Sequence, residues 1–374
     1  MTVTYEQLAL AYSGGYIQGA GSEVSKETGE VNVAEAIGRI KQDFAKKLPP
    51  IAKQLEHDRW EGGQVPRIFN VLSIDGGGIR GIIPLIALCA LEEMIQQTNP
   101  GARLSDQFDL IAGTSTGGLI ALGLACGHTA KSILEIFTDR PSQIFTPNKN
   151  SSYMHGVPPL IQAYVIEKQS QYPLYSLAGV RKIANELFED KLLANALTNV
   201  LVPVVDVTDG SPKTKCLTNR EFDDSRLTMV NVVCATMATP TYFPKQRIKG
   251  RIYVGGRLSL NDPALECLNF ARKWNVPQDK VRIFSLGTGE ADKEDSICRV
   301  RSLLYPQMEV TEHAKVRDSL QQTLGCRYLR LSPSFESEKP MDDVQEGCTD
   351  RLCEEGRDQV KENYDTIKQV AGMF

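Results

Sequence analysis

Residues 107–117 read Gln107-Phe-Asp-Leu-Ile-Ala-Gly-Thr-Ser-Thr-Gly117, and an apolar run continues from Gly118 to Cys126. Gln107 to Ala112 has the length and composition of a buried strand. The run after it reads as an apolar helix. Between them, Gly113-Thr114-Ser115-Thr116-Gly117 fits the G-x-S-x-G nucleophile elbow, with a strand before it and a helix after it as the pattern requires. A serine on so sharp a turn leaves its hydroxyl at the sheet edge. Glycines two residues to either side let neighbouring backbone pass without Cβ clashes. The helix starting there aims free N–H groups and the positive end of its dipole at the reacting centre. Ser115 is therefore the candidate nucleophile.

A second turn of the same kind lies upstream. Arg67-Ile-Phe-Asn-Val-Leu-Ser-Ile-Asp75 is a buried-strand candidate that enters Gly76-Gly77-Gly78-Ile79-Arg80-Gly81 and then a helical stretch from Ile82 to Gln97. The glycines also match G-x-G-x-x-G, the turn that cradles a dinucleotide pyrophosphate. That reading expects an acidic residue at the end of the next strand, whereas Asp106 precedes that strand. The other reading is an oxyanion hole, in which the N–H groups of Gly76, Gly77 and Gly78 donate to the oxygen that turns negative in acyl transfer. It explains both turns as one machine, and the dinucleotide reading leaves the serine elbow without a purpose.

Outward from these turns, helical patterns cover 130–138, 176–198 and about 355–371, and strand-like runs cover 200–207, 229–233 and 281–286. Strands alternating with helices predict an α/β fold with a mostly parallel central sheet and helices on both faces. Residues 290–350 read as charged and irregular. Residues 1–30 read as loosely ordered or as short turns. Val33, Ile37, Ile40, Phe44 and Leu48 make an amphipathic helix over 33–48, interrupted by Pro49-Pro50. Its apolar stripe either docks on the domain behind it or meets a membrane or a protein partner. The expected organisation is an N-terminal helical extension over 1–66, the α/β domain over 67–335, and a C-terminal helical segment over 336–374 packing on or extending that domain.

The net charge of −4 offers no basic field for nucleic acid and no long-range pull toward anionic lipid. Nine cysteines are scattered without zinc spacing, so reduced thiols are expected, with no metal and no cofactor. The first residues lack a basic region followed by an apolar run, and no stretch reaches the ~18–20 apolar residues of a spanning helix. A cytoplasmic protein, or one lying peripherally on membranes, is expected.

Asp75-Gly-Gly-Gly-Ile-Arg-Gly81 followed by Gly113-Thr-Ser-Thr-Gly117 resembles the first two signature blocks of the patatin-like phospholipase family. Val233-Cys-Ala-Thr-Met-Ala-Thr-Pro-Thr-Tyr-Phe-Pro244 and Ser285-Leu-Gly-Thr-Gly289 resemble later blocks, in family order, over roughly residues 67–335. The resemblance implies a three-layer α/β/α domain that cleaves ester bonds of membrane phospholipids or other acyl lipids with a Ser–Asp dyad and no histidine. Carried over, it makes Ser115 the nucleophile and puts the oxyanion hole at Gly76, Gly77 and Gly78. Arg80 then lies beside the site, near the lipid phosphate.

The departure is in the third block. The family has an Asp-Gly-Gly or Asp-Gly-Ala motif followed by an Asn-Asn-Pro-like segment, and this chain reads Arg251-Ile-Tyr-Val-Gly-Gly-Arg-Leu-Ser-Leu-Asn-Asp-Pro263. Anchored on Asn261-Asp262-Pro263, the aspartate position is Gly255; anchored on the glycine pair, it is Val254. Neither supplies a carboxylate. A serine hydroxyl is a poor nucleophile without a base, and base assistance is worth roughly 10²–10⁴ in rate. Asp262, seven residues on, serves only if the loop folds back, and among the histidines (His128, His155, His313) His313 lies in the downstream region where such a base is found. Arg257 stays protonated and cannot be a base; it caps the empty site or binds an anion there. The expectation is a serine acyl hydrolase domain with weak or no activity. The alternatives are an inactive domain that binds lipid or a partner, and a nucleotide-binding α/β domain.

Overall fold

The computed structural model describes residues 3–4, 30–31, 68–148, 173–291, 304–305, 313–335 and 339–374. The chain divides into two compact units, Met1–Arg59 and Trp60–Phe374. In the first, Val3–Thr4 pairs antiparallel with Glu30–Val31. The helix expected over 33–48 lies outside the described residues, as do His155 and Cys298.

The second unit is built on one sheet of eight strands. They are β1 (Phe69–Ile74), β2 (Leu110–Gly113), β3 (Asn199–Asp206), β4 (Lys213–Thr218), β5 (Gln246–Ile248), β6 (Arg251–Gly255), β7 (Val281–Leu286) and β8 (Tyr328–Leu331). Their order is β8-β7-β1-β2-β3-β6-β5, with β4 also paired to β3. From β8 to β3 every pairing is parallel, and β4, β5 and β6 are antiparallel. Parallel strands are covered on both faces and so read as continuous apolar runs. Side chains still alternate across the sheet: Phe69, Val71, Val281 and Ile283 enter one core, and Leu72, Ile74, Phe284 and Leu286 the other.

The layer on the second face comprises α1 (Ile82–Thr98), α2 (Thr116–Ala125), α3 (Ala130–Asp139), α4 (Ala178–Phe188) and α5 (Met229–Met237). The first face carries α6 (Ala264–Lys273) and α7 (His313–Leu324). The three-layer α/β/α architecture follows. Helices α8 (Cys348–Glu362) and α9 (Tyr364–Ala371) pack on α1, close enough that a side chain on Gly356 would run into Ile86. Helix α2 is buried on every side, which explains why its sequence is apolar all round instead of striped. Among the described residues no helix is long and apolar enough to cross a membrane.

Several local expectations are corrected. Residues 229–233 form the first turns of α5, not a strand; a short apolar run fits a buried helix as well as a buried strand, and Thr228 caps it by accepting the Asn231 N–H. The helix expected over 176–198 stops at Phe188, where Glu189 turns to φ 52°. The single helix expected near 355–371 is two, broken at Asn363. The region read as irregular, 290–350, holds α7 and β8.

The pairings of β3 place the site. Along one edge, Asn199, Val200 and Leu201 pair with Leu110, Ile111 and Ala112 of β2. Farther along the same edge, Val204, Val205 and Asp206 pair antiparallel with Gly255, Val254 and Tyr253 of β6. Along the opposite edge, Leu201 to Asp206 pair antiparallel with β4. Strands β2 and β6 therefore approach end on from opposite directions and stop short of each other beside Val202 and Pro203. The Ser115 turn leaves the end of β2, and Gly255 is the end of β6. The turn is tight: a Cβ on Gly113 would sit 2.0 Å from the Gly117 carbonyl oxygen. Since the blocking atom is backbone, Gly113→Ala is expected to cost about 3 kcal/mol of folding stability, the upper end of ordinary overpacking. Urea unfolding checks this, and a loss below about 1 kcal/mol would show that the turn relaxes freely.

Candidate active site

Ser115 takes φ 55° and ψ −122° at the start of α2. A non-glycine residue in this region is strained by about 1–3 kcal/mol and holds there only when its surroundings fix it. They do so on every side. The Ser115 N–H donates to Thr236 Oγ1 at 2.8 Å, and that hydroxyl donates to Pro203 O at 2.7 Å, bridging the gap left between β2 and β6. The Ser115 carbonyl accepts from the Gly118 and Leu119 N–H groups, which starts the helix. Thr114 Oγ1 donates to Leu260 O at 2.9 Å. A Cβ on Gly117 would lie 2.4 Å from Ile74 O and 2.6 Å from Asp75 O, so the elbow is pressed against the end of β1. Ser115 itself is 3% exposed.

The glycine loop runs alongside. A Cβ on Gly76 would crowd Ser115 Cβ at 3.2 Å and Asn261 Oδ1 at 2.7 Å, so Gly76 and Asn261 both border the serine. The loop is gripped by its carbonyls. Gly76 O accepts from Thr288 Oγ1 at 2.9 Å, Arg257 Nη1 at 3.1 Å and Asn261 Nδ2 at 3.2 Å. Gly77 O accepts from Arg80 Nε at 3.4 Å, and Arg80 is buried. The N–H groups of Gly76 and Gly77 make only long contacts, 3.4 Å each, to Asn261 O and Thr116 Oγ1. Gly78 takes φ 62° under Met341, whose carbonyl accepts the Ile79 N–H at 2.8 Å. Next to Met341, Asp342 accepts from the Tyr175 hydroxyl at 2.7 Å. Burial, with Asp342 beside it, pushes the Tyr175 phenol up, so it stays a donor.

No carboxylate borders the serine from β6. Gly255 is buried, and its N–H donates to Ala238 O at 2.9 Å. Asp262 is buried with its carboxylate engaged elsewhere: Oδ1 accepts from the Ala264 N–H at 2.9 Å and Ser73 Oγ at 3.3 Å. Oδ2 lies 3.1 Å from Arg330 Nη1, an ion-pair contact without an aligned hydrogen bond. Arg330 also holds Asp75, with Nη2 2.7 Å from Oδ2, and donates to Ser285 Oγ at 2.8 Å. One guanidinium thus ties together the residue that opens the glycine loop and the residue that precedes α6. His128 is bonded through Nε2 to Leu187 O at 2.9 Å, and His313 opens α7. The eight described cysteines are free, and burial pushes Cys126 and Cys234 up to about 11, which keeps both thiols protonated.

Thr236, Arg330 and the Thr239 turn were not singled out from the sequence. Thr236, in α5, and Thr239, in the turn after it, lie inside the Val233–Pro244 block, whereas Arg330 carries no sequence signal. Replacing Arg330 by Met would leave Asp75 and Asp262 as buried charges without their partner, at an expected cost of about 3–5 kcal/mol. A urea titration of Arg330→Met measures this, and a change under about 1 kcal/mol would mean that solvent already screens the cluster.

Comparison with known proteins follows the same residues. A family model described as patatin-like phospholipase matches residues 72–268. A protein of Pseudomonas aeruginosa named cGAMP-activated phospholipase is 27% identical over 305 residues, covering 77% of this chain and 86% of that protein. One of the same name from Vibrio cholerae is 34% identical over 232 residues, covering 59% of this chain and 64% of its own length. Among solved structures, VipD from Legionella pneumophila overlaps with a TM-score of 0.42 at 14% identity, covering 81% of this chain and 67% of that one.

Proposed function

The chain belongs to the patatin-like phospholipase family, and we propose that it is an acyl-lipid hydrolase domain that keeps its nucleophile and oxyanion loop but lacks the base. Ester turnover is therefore slow or absent. The observation that carries this reading is the end of β6: Gly255 ends the strand that runs along β3 toward the end of β2, and it brings no carboxylate.

In the proposed reaction Ser115 Oγ bonds to the ester carbonyl carbon. The carbonyl oxygen turns negative against the N–H groups of Gly76, Gly77 and Gly78. The bond to the alcohol oxygen breaks, and that oxygen takes up a proton. Water then cleaves the acyl-serine, releasing fatty acid and restoring Ser115. Without a base, the serine proton leaves unaided in the first step, and water is unassisted in the second. Support for the absence of a substitute comes from Asp262, whose oxygens are committed to Ala264, Ser73 and Arg330. Arg80, tied to Gly77 O, shapes the loop from beneath in this reading. The substrate class is a phospholipid or another acyl lipid reached from a membrane surface. The names of the two bacterial relatives carry a regulatory ligand, cGAMP, which is the first effector to add to an assay.

Release of fatty acid from mixed phospholipid vesicles tests the reading. Wild type and Ser115→Ala are expected to agree within about tenfold, with and without cGAMP, because the missing base forfeits roughly 10²–10⁴. Wild type exceeding Ser115→Ala by about a thousandfold would sink the base-free reading, and Asp262 and His313 would then be replaced in turn to find the base.

A further inference from the structure

Gly255 is not required by its backbone. Its φ of −57° and ψ of 138° suit any L residue, so the glycine is there for space. What occupies that space is Thr239, in the turn after α5. A Cβ on Gly255 would lie 2.8 Å from Thr239 Oγ1, 3.0 Å from Thr239 N and 3.1 Å from Thr236 O. Thr239 is fully buried, and its Oγ1 has no hydrogen-bond partner among the described residues. A hydroxyl without a partner is an expensive way to fill a core when alanine would serve. The turn cannot easily swing aside. Thr239 O accepts from Phe243 N–H at 2.9 Å and Tyr242 N–H at 3.2 Å, and Ala238 O accepts from Gly255 N–H at 2.9 Å. The threonine and the glycine are therefore pressed against each other by the same hydrogen bonds that close the end of β6.

Resting on the acyl-hydrolase reading above, we propose that Thr239 is the second half of the loss at position 255. Its hydroxyl fills the volume from which a side chain at 255 would start, so the pair, not Gly255 alone, keeps the site without a base. Replacing the glycine by aspartate alone forces the new Cβ into Thr239. Removing the threonine γ atoms clears the closest contact. The remaining backbone contacts, at 3.0 and 3.1 Å, need only a small shift.

A double-mutant cycle decides it. Wild type, Gly255→Asp, Thr239→Ala and the double variant are compared by thermal unfolding and by fatty-acid release from phospholipid vesicles. Gly255→Asp is expected to lower Tm by about 5 °C, as overpacking in a domain of this size does. Thr239→Ala in the same chain should recover more than half of that loss. Hydrolysis by the double variant should exceed wild type by roughly 10²–10⁴ and exceed Gly255→Asp by at least about tenfold. Equal Tm losses with no recovery, or full activity from Gly255→Asp alone, overturn the role of Thr239. Recovery of Tm with no hydrolysis upholds the packing inference and overturns the acyl-hydrolase reading, so the two fail separately. If Gly255→Asp does not fold, Gly255→Ala adds the Cβ alone and carries the stability cycle.

Discussion

Gly113 and Gly117 meet across the turn that carries Ser115, with the carbonyl of one lying where a side chain on the other would begin. Everything near the serine takes its position from that contact. It bends the chain sharply enough to hold Ser115 at positive φ, and it presses Gly117 against the carbonyls of Ile74 and Asp75. The end of β1, from which the glycine loop leaves, is thereby fixed relative to the end of β2. Thr114 and Thr236 then tie the turn to the segment after β6 and to β3. A strained serine is held because four separate pieces of chain close on it, and hydrogen bonds between buried groups make the closure specific.

The charges around this turn are distributed unevenly. At the start of the glycine loop, Arg330 faces Asp75 and Asp262. Two carboxylates share one guanidinium; the Ser73 hydroxyl and the amide at the start of α6 donate to Asp262 Oδ1, and Ser285 Oγ accepts a further guanidinium N–H. Buried charge of this kind is costly to remove singly, which suits a scaffold more than a group meant to exchange protons. Toward the end of β6 the balance is reversed. Position 255 has no charge, and Arg257 places a cation on the Gly76 carbonyl. The negative charge near the serine is thus spent on architecture, and the side from which a base would act is neutral or positive.

The fold was legible because parallel strands buried on both faces and helix α2 advertise themselves as apolar runs, and because both strand-to-helix turns need glycine for steric reasons stated by the sequence alone. Met229 to Val233 was misread since a buried helix without a polar face has no periodicity to betray it. Strand β8 was hidden in charged sequence because Arg330, its central cation, points into the protein toward partners that include Asp75, 255 residues away in the chain. The absence of a carboxylate at 255 was legible; the reason a carboxylate would not fit was not. That reason is a contact between Gly255 and Thr239, which lie in separate elements and become neighbours only when β6 is laid along β3.

The glycine loop is completed from the far end of the chain. Its supports come from Thr288 at a separation of 212 residues, from Arg330 through Asp75 at 255, and from Met341. The Ser115 turn also draws on distant partners, but nearer ones: Thr236 at a separation of 121 residues and, through Thr114, Leu260 at 146. Contacts so distant in sequence carry a large loop-closure entropy and form late. During synthesis the N-terminal part emerges first, so the last residue that holds the Ser115 turn, Leu260, is made before Thr288, Arg330 and Met341. The residues that grip the glycine loop from Thr288, Arg330 and Met341 are thus made after every residue that holds the serine turn.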